Sequence, residues 1–284
     1  MRSIGPALRV RDFRLWWLAL LAMGTGLQML EVAIGWEVYA QHGSPLDLGW
    51  IGLAEFLPMF VLALPAGHIA DRLPRRLVFV VALLLGAGVG VGLALLSRSG
   101  DSSVLPYLAL AAAAGVTMAL GNPAARSMAP TLVPPEVLQN AMTLRSIASQ
   151  SAQVVGPALG GLLYGVSPVL VYLLAAGMCG LAALCVIAMR SQPAADITVP
   201  GAPTPPGLER VLEGLRFVRR TQILLGAILL DLLAVLFGGA VALLPVFARS
   251  ILYVGPTGLG VLRAAPAVGA LLAAAILTRL AGQL

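Results

Sequence analysis

Apolar residues in this chain come in long unbroken runs, not in the alternating or one-faced patterns of soluble elements. Eight such runs, separated by short polar punctuation, cover residues 15–40, 48–70, 77–96, 104–125, 140–164, 167–189, 222–247 and 257–279. A hydrocarbon core of about 30 Å needs about 20 apolar residues per helical crossing, so each run is long enough to span a bilayer. Helices are the economical reading. A spanning segment must satisfy its own backbone amides unless it belongs to a closed barrel of short alternating strands, and no such alternation appears. Arg9, Arg11, Asp12 and Arg14 lead into a first run too long for a signal core, with no small-residue cleavage site closing it. The first run is therefore expected to remain as a span.

Composition agrees with this reading. Hydrophobic residues make up 59% of the chain, charged residues only 11%, glycine occurs 32 times, and the mean hydropathy is +0.95, all outside the soluble range. Lysine is absent, and 15 of the 18 arginines fall on one side of the predicted spans. Arg98 and Arg249 lie in the opposite loops and Arg263 lies inside a span. An excess of positive charge marks the cytoplasmic side, so the N-terminus is predicted to be cytoplasmic. The net charge of +6 is then a topology signal and not a nucleic-acid surface, since no soluble basic domain carries it. Cys179 and Cys185 both fall inside the sixth run, where they are expected to be small apolar side chains, not a disulfide or metal pair.

The chain divides at residues 190–221. Pro193, Pro200, Pro203, Pro205 and Pro206 precede the stretch Leu208 to Arg220, in which Leu208, Val211, Leu212, Leu215 and Val218 recur at helical spacing among charges. This predicts a linker followed by a short amphipathic helix on the inner leaflet. Three segments result: a six-span half over 1–189, the linker over 190–221, and the start of a second half with spans 7 and 8 over 222–284.

Two motifs carry the functional reading. Between the second and third runs sits Gly67-His68-Ile69-Ala70-Asp71-Arg72-Leu73-Pro74-Arg75-Arg76. It resembles the G-x-x-x-D-R-x-x-R-R/K loop of the major facilitator superfamily, with Pro74 where that family usually has a second glycine. In the fifth run, Gly156-Pro157-Ala158-Leu159-Gly160-Gly161 resembles the G-P-x-x-G-G signature of that superfamily's drug and metabolite exporters. Its physical content is a small-x-x-x-small face that admits a neighbouring helix, with Pro157 removing one amide and permitting a bend. Arg11 to Trp17, Ser127 to Glu136 and Gly258 to Pro266 extend the likeness to the bacterial branch that includes the enterobactin exporter.

The resemblance implies an all-α integral membrane protein of the major facilitator fold, with a complete six-helix N-terminal half and the first two helices of the C-terminal half. Twelve spans would be expected of the family, so a longer reading frame or a second chain is expected to supply four more. The resemblance also implies a conformational lock, in which Asp71 faces the positive end of a helix from the other half. Gly67 allows the close approach and Arg72, Arg75 and Arg76 hold the carboxylate. The three arginines also anchor topology. Gly156, Pro157, Gly160 and Gly161 are the expected gating helix, with an ordinary packing notch as the alternative.

Ionisable groups inside spans are costly and mark candidate sites. Glu31 and Glu55 come out at similar depth in spans 1 and 2, and Gln28 lies one turn before Glu31. Asp231 sits near the middle of span 7, which in the superfamily lines the central cavity with span 1. Gln28, Glu31, Glu55, Asp231 and Arg263 are thus the candidate proton or substrate site, and a static Glu55–Arg263 pair is the alternative for those two. Glu37 is nearer the outer interface and is expected to be solvated. Arg145, Ser149 and Gln153 repeat along span 5, where helix-to-helix hydrogen bonding is the expected role. His68 and Asp71 have no further His or Cys near, so no metal or other cofactor is expected.

The expected function is proton-coupled export of a small amphipathic molecule, drug-like or a siderophore. The place is the inner (plasma) membrane of a bacterium, in a multi-pass arrangement, with protons, the substrate and the bilayer as partners. An inactive or incomplete fragment is the rival. A membrane enzyme would need a nucleophile with a histidine, or a metal-binding carboxylate cluster, at membrane depth, and the only histidines are His42 and His68 near loops.

Overall fold

The computed structural model describes residues 5–72, 74–100, 103–190, 216–219, 221–237 and 239–281, with side chains described for all of these except 63–72, 231–232, 234–240 and 274–281. Nearly all of the expected amphipathic stretch Leu208 to Arg220 lies outside the described residues. Every regular element described is helical. The long ones are α1 (Arg11–His42), α2 (Pro45–Arg72), α3 (Arg75–Ser99), α4 (Val104–Met128), α5 (Leu138–Tyr164), α6 (Pro168–Ile187), α7 (Gln222–Phe237) and α8 (Gly255–Ala281). Among them α1, α2, α3, α4, α6 and α8 are long and apolar enough to cross a membrane. The helix ends follow local chemistry. Gly43 (φ 65°) takes the left-handed conformation that closes α1 and returns its N–H to the Tyr39 carbonyl. Pro168 opens α6, where its missing N–H costs nothing.

One expected span is extended and one needs correction. The expected run 48–70 already takes in Gly67 to Ala70, and α2 continues two residues further, through Asp71 and Arg72. The seventh run is not one helix over 222–247. Helix α7 stops at Phe237 after 16 residues, and a 3₁₀ turn over Gly239–Leu243, a helical turn over Leu244–Val246 and a π turn over Phe247–Ile251 follow. Gly239 and then Pro245 interrupt the helical ladder where the hydropathy shows no break.

The chain forms two compact units, Met1–Gln192 with Ala242–Leu284, and Pro193–Val241. The second contains α7, a helix built of Ile, Leu and Ala around Asp231. In the first, α1 packs between α5 and α6, α4 packs between α2 and α3, α3 and α6 pack on each other, and α8 lies along α5. Exchanging α1, α2 and α3 with α4, α5 and α6 turns the α1–α5 contact into α4–α2, turns α1–α6 into α4–α3, and leaves α3–α6 unchanged. The six helices are therefore packed as two three-helix repeats, the internal symmetry common among secondary transporters.

Lipid offers helices no hydrophobic incentive to associate, so close packing at small residues has to hold them together. Methyl groups added at three glycines show how close. One at Gly24 would lie 2.9 Å from the Ala152 Cβ of α5, one at Gly26 3.0 Å from the Ala175 carbonyl oxygen of α6, and one at Gly90 of α3 2.9 Å from the Ala176 Cβ of α6. The largest fully buried side chains, including Trp16, Tyr107, Tyr172, Phe13 and Phe79, belong to one hydrophobic core cluster. Cys179 and Cys185 are free thiols, the first buried and the second half-buried.

Candidate functional site

Helices α1, α2 and α8 bring three charged side chains together. Arg263 of α8 forms an ion pair through its Nη2 with Oε1 of Glu31 on α1, with the arginine 13% and the glutamate 39% exposed. Glu55 of α2, half-buried, lies within electrostatic range of both. Glu55 is thus a second carboxyl group beside the Glu31–Arg263 pair, and ionisable groups at membrane depth mark a candidate site. The guanidinium goes to Glu31 and not to Glu55, the partner that depth along the spans had offered. Depth gives the level of a residue but not the direction it faces.

The glycine motif of α5 faces two neighbours at once. A methyl at Gly156 would lie 2.5 Å from the Cβ of Gln28 and 3.0 Å from the Thr25 carbonyl oxygen, and one at Gly160 would lie 3.1 Å from the Met29 Cα, all on α1. One residue further round the helix the neighbour changes. A methyl at Gly161 would lie 2.9 Å from Gly260 Cα of α8, and one at Gly260 would lie 3.1 Å from Gly161 Cα and against the Pro157 carbonyl. Pro157 is accommodated inside α5, which runs unbroken from Leu138 to Tyr164. Helix α5 is therefore clamped between α1 and α8 over its Pro157 turn, with backbones in contact on both sides. Gln28 lies in this seam, its stem over Gly156.

The remaining candidates are placed as follows. Gly67, Asp71 and Arg72 lie in the last turns of α2 and Asp231 lies in α7, all with side chains outside the described residues. Arg75 donates through Nη1 to the Ser127 carbonyl near the end of α4 at 3.2 Å, and Arg76 donates through Nη2 to the Ile187 carbonyl at the end of α6. Arg11 adds a donor to the Ala188 carbonyl at 3.4 Å, and buried Asp12 accepts the Arg190 N–H at 3.3 Å. Guanidiniums at these ends satisfy orphan carbonyls and oppose the negative pole of each helix. Arg76→Ala is accordingly expected to cost about 0.5–1.5 kcal/mol, and Arg76→Lys less than half of that, in detergent unfolding of the chain. Equal losses for the two would show that charge at this position is immaterial.

Sequence reasoning missed one site. Glu37 is buried, 3% exposed, and not solvated as expected. Its carboxylate accepts hydrogen bonds from Tyr107 Oη at 3.0 Å, from Tyr172 Oη, and from Gln41 Nε2 at 3.4 Å. Gln41 Nε2 also donates to Tyr107 Oη at 3.2 Å. The signal was present in the order of elements. Glu37 is near the end of α1, while Tyr107 and Tyr172 are near the starts of α4 and α6, and alternating direction brings these to one level. At that same level Arg249 Nη1 donates to the Tyr39 carbonyl at 3.1 Å, and the Tyr39 and Ser250 hydroxyls are bonded at 2.8 Å.

A family model described as transmembrane secretion effector matches residues 3–284. The chain is 27% identical over 213 residues to an MFS-type transporter of Bacillus subtilis, YfiS, covering 73% of this chain and 49% of that protein. It is 29% identical over 223 residues to the multidrug efflux pump Tap of Mycobacterium tuberculosis, covering 74% of this chain and 51% of the pump. A tetracenomycin C resistance and export protein of Streptomyces glaucescens is 31% identical over 154 residues, or 52% of this chain and 28% of that protein. The chain spans about half the length of the first two of these relatives.

Proposed function

The chain belongs to the transmembrane secretion effector family of major facilitator transporters, and on that footing we propose that it exports a small amphipathic molecule, drug-like or a siderophore, in exchange for protons. The observation that supports this most is the Arg263–Glu31 ion pair with the Glu55 carboxyl group nearby. A proton or a cationic substrate reaching the carboxylates competes with the guanidinium. Whichever wins changes how strongly α1 is tied to α8. The clamped α5 next to that pair gives the change a mechanical outlet, because Gly156, Gly160 and Gly161 let three backbones slide without side chains interlocking. The functions named for two relatives, multidrug efflux for Tap and tetracenomycin C resistance and export for the Streptomyces protein, support the same reading.

In this reading the N-terminus is cytoplasmic in a bacterial plasma membrane, as the arginine distribution favours. The lock residues Gly67, Asp71, Arg72, Arg75 and Arg76 then sit on the inner face, and Asp231 joins the proton pathway. The full transport unit includes further spans, from a continued reading frame or a second chain. The length of the relatives supports that part.

The test is accumulation of a fluorescent amphipathic cation in an efflux-deficient bacterium, with residues 1–284 expressed alone and beside a frame extended downstream. Lower accumulation in at least one form, abolished by a protonophore and by Glu31→Gln, is the expected result. Unchanged accumulation in both forms, with the protein present in the membrane, would remove the export reading.

A further inference from the structure

Glu37 and Tyr39 are two residues apart on α1, about 200° round the helix, so they face opposite ways from one turn. Glu37 points into the six-helix bundle and is held there by tyrosines from two other helices, both of them fully buried. Tyr39 engages Arg249 and Ser250 in the π turn that precedes α8. Between them Trp36 packs on a cluster of Val32, Ala248 and Leu259 that joins α1 to the same segment. The Tyr39 carbonyl that receives Arg249 is also the one that accepts Gly43 N–H at the end of α1. The guanidinium therefore sits at the negative end of that helix.

We propose that Glu37 is a positioning residue. By pinning the last turns of α1 to α4 and α6 it fixes their rotation, and that rotation sets Tyr39 against Arg249 and Ser250. The carboxylate suits this role because it presents two oxygens to hydroxyls arriving from two directions, and buried groups of this kind tolerate few arrangements. Rotating α1 by even part of a turn would strand Glu37 from its donors and withdraw Tyr39 from its partners in the same motion. The contact between α1 and the segment leading into α8 is thus governed from inside the bundle, nearly two turns along α1 from the Glu31–Arg263 pair. Gln41 on α1 also donates to this node, and among the described residues Tyr164 of α5 and Arg249 lie within electrostatic range of it.

The experiment needs no transported substrate, so its outcome is independent of the export reading. Cysteines are placed by Tyr39→Cys and Ser250→Cys in a chain carrying Cys179→Ala and Cys185→Ala, and joined with a short thiol-specific bifunctional reagent in native membranes. Tyr107→Phe with Tyr172→Phe removes both hydroxyl donors at constant volume. It is expected to lower the cross-linking rate about fivefold, the factor that about 1 kcal/mol of lost hydrogen bonding gives. Glu37→Leu is expected to do the same, whereas Glu37→Gln, which keeps the shape and one acceptor, is expected to retain most of the rate. Rates unchanged in both the Phe pair and Glu37→Leu would overturn the proposal. So would losses that merely track the fraction of monodisperse folded protein, since the node would then be a stabilising contact and nothing more.

Discussion

Valine in place of Gly260 is expected to lower the thermal midpoint of the chain in detergent by about 5–10 °C and to abolish any transport it supports. The α5–α8 seam has no room for a side chain. A methyl at Gly260 would lie 3.1 Å from Gly161 Cα and tighter still against the Pro157 carbonyl, and one at Gly161 would meet Gly260 in return. Over-filling a packed contact costs about 1–3 kcal/mol when neighbours can give way. Here they give way poorly, because α5 is backed by α1 at Gly156 and Gly160 and cannot retreat from α8 without colliding there. Gly269→Val is the control. It lies on the same helix, its added Cβ meets nothing within 4 Å, and no fall is expected. A Gly260→Val chain that melts with the parent would show that the seam is loose.

The second large effect is expected at the ion pair. Arg263→Met leaves Glu31 and Glu55 within electrostatic range of each other with no guanidinium beside them. Removing one partner of a fully buried pair costs about 3–5 kcal/mol. Glu31 is 39% exposed, so solvent screening reduces the expected cost to about 1–2 kcal/mol. Adding Glu31→Gln to Arg263→Met is expected to restore part of this, with a coupling of about 0.5–2 kcal/mol in a double-mutant cycle. In the accumulation assay either single change is expected to cut export of a cation about tenfold, equivalent to about 1.4 kcal/mol of charge interaction. Strict additivity of the two substitutions would mean that the pair has no energetic content, and full export by both single variants would remove it from the transport site.

Much of this architecture was legible because membrane spans are written in run length, a one-dimensional signal. The levels of Glu31, Glu55 and Arg263 followed from counting residues along spans, and the small face at Gly156 and Gly160 followed from a four-residue period. What counting cannot supply is azimuth. It offered Arg263 to Glu55 when the guanidinium faces Glu31, and it placed Glu37 in solvent when Tyr107 and Tyr172, far away in sequence, close over it. Hydropathy likewise hid the end of α7, because Gly239 and Pro245 interrupt the helix inside a run that stays apolar.

The two guanidiniums at the end of α6 bear on the order in which the protein is made. Arg11 and Arg76 are synthesised long before the Ile187 and Ala188 carbonyls that they hold. Once residue 190 has been made, Arg11, Arg76 and Asp12 are all present to meet the end of α6, so these bonds can form without waiting for α7 or α8.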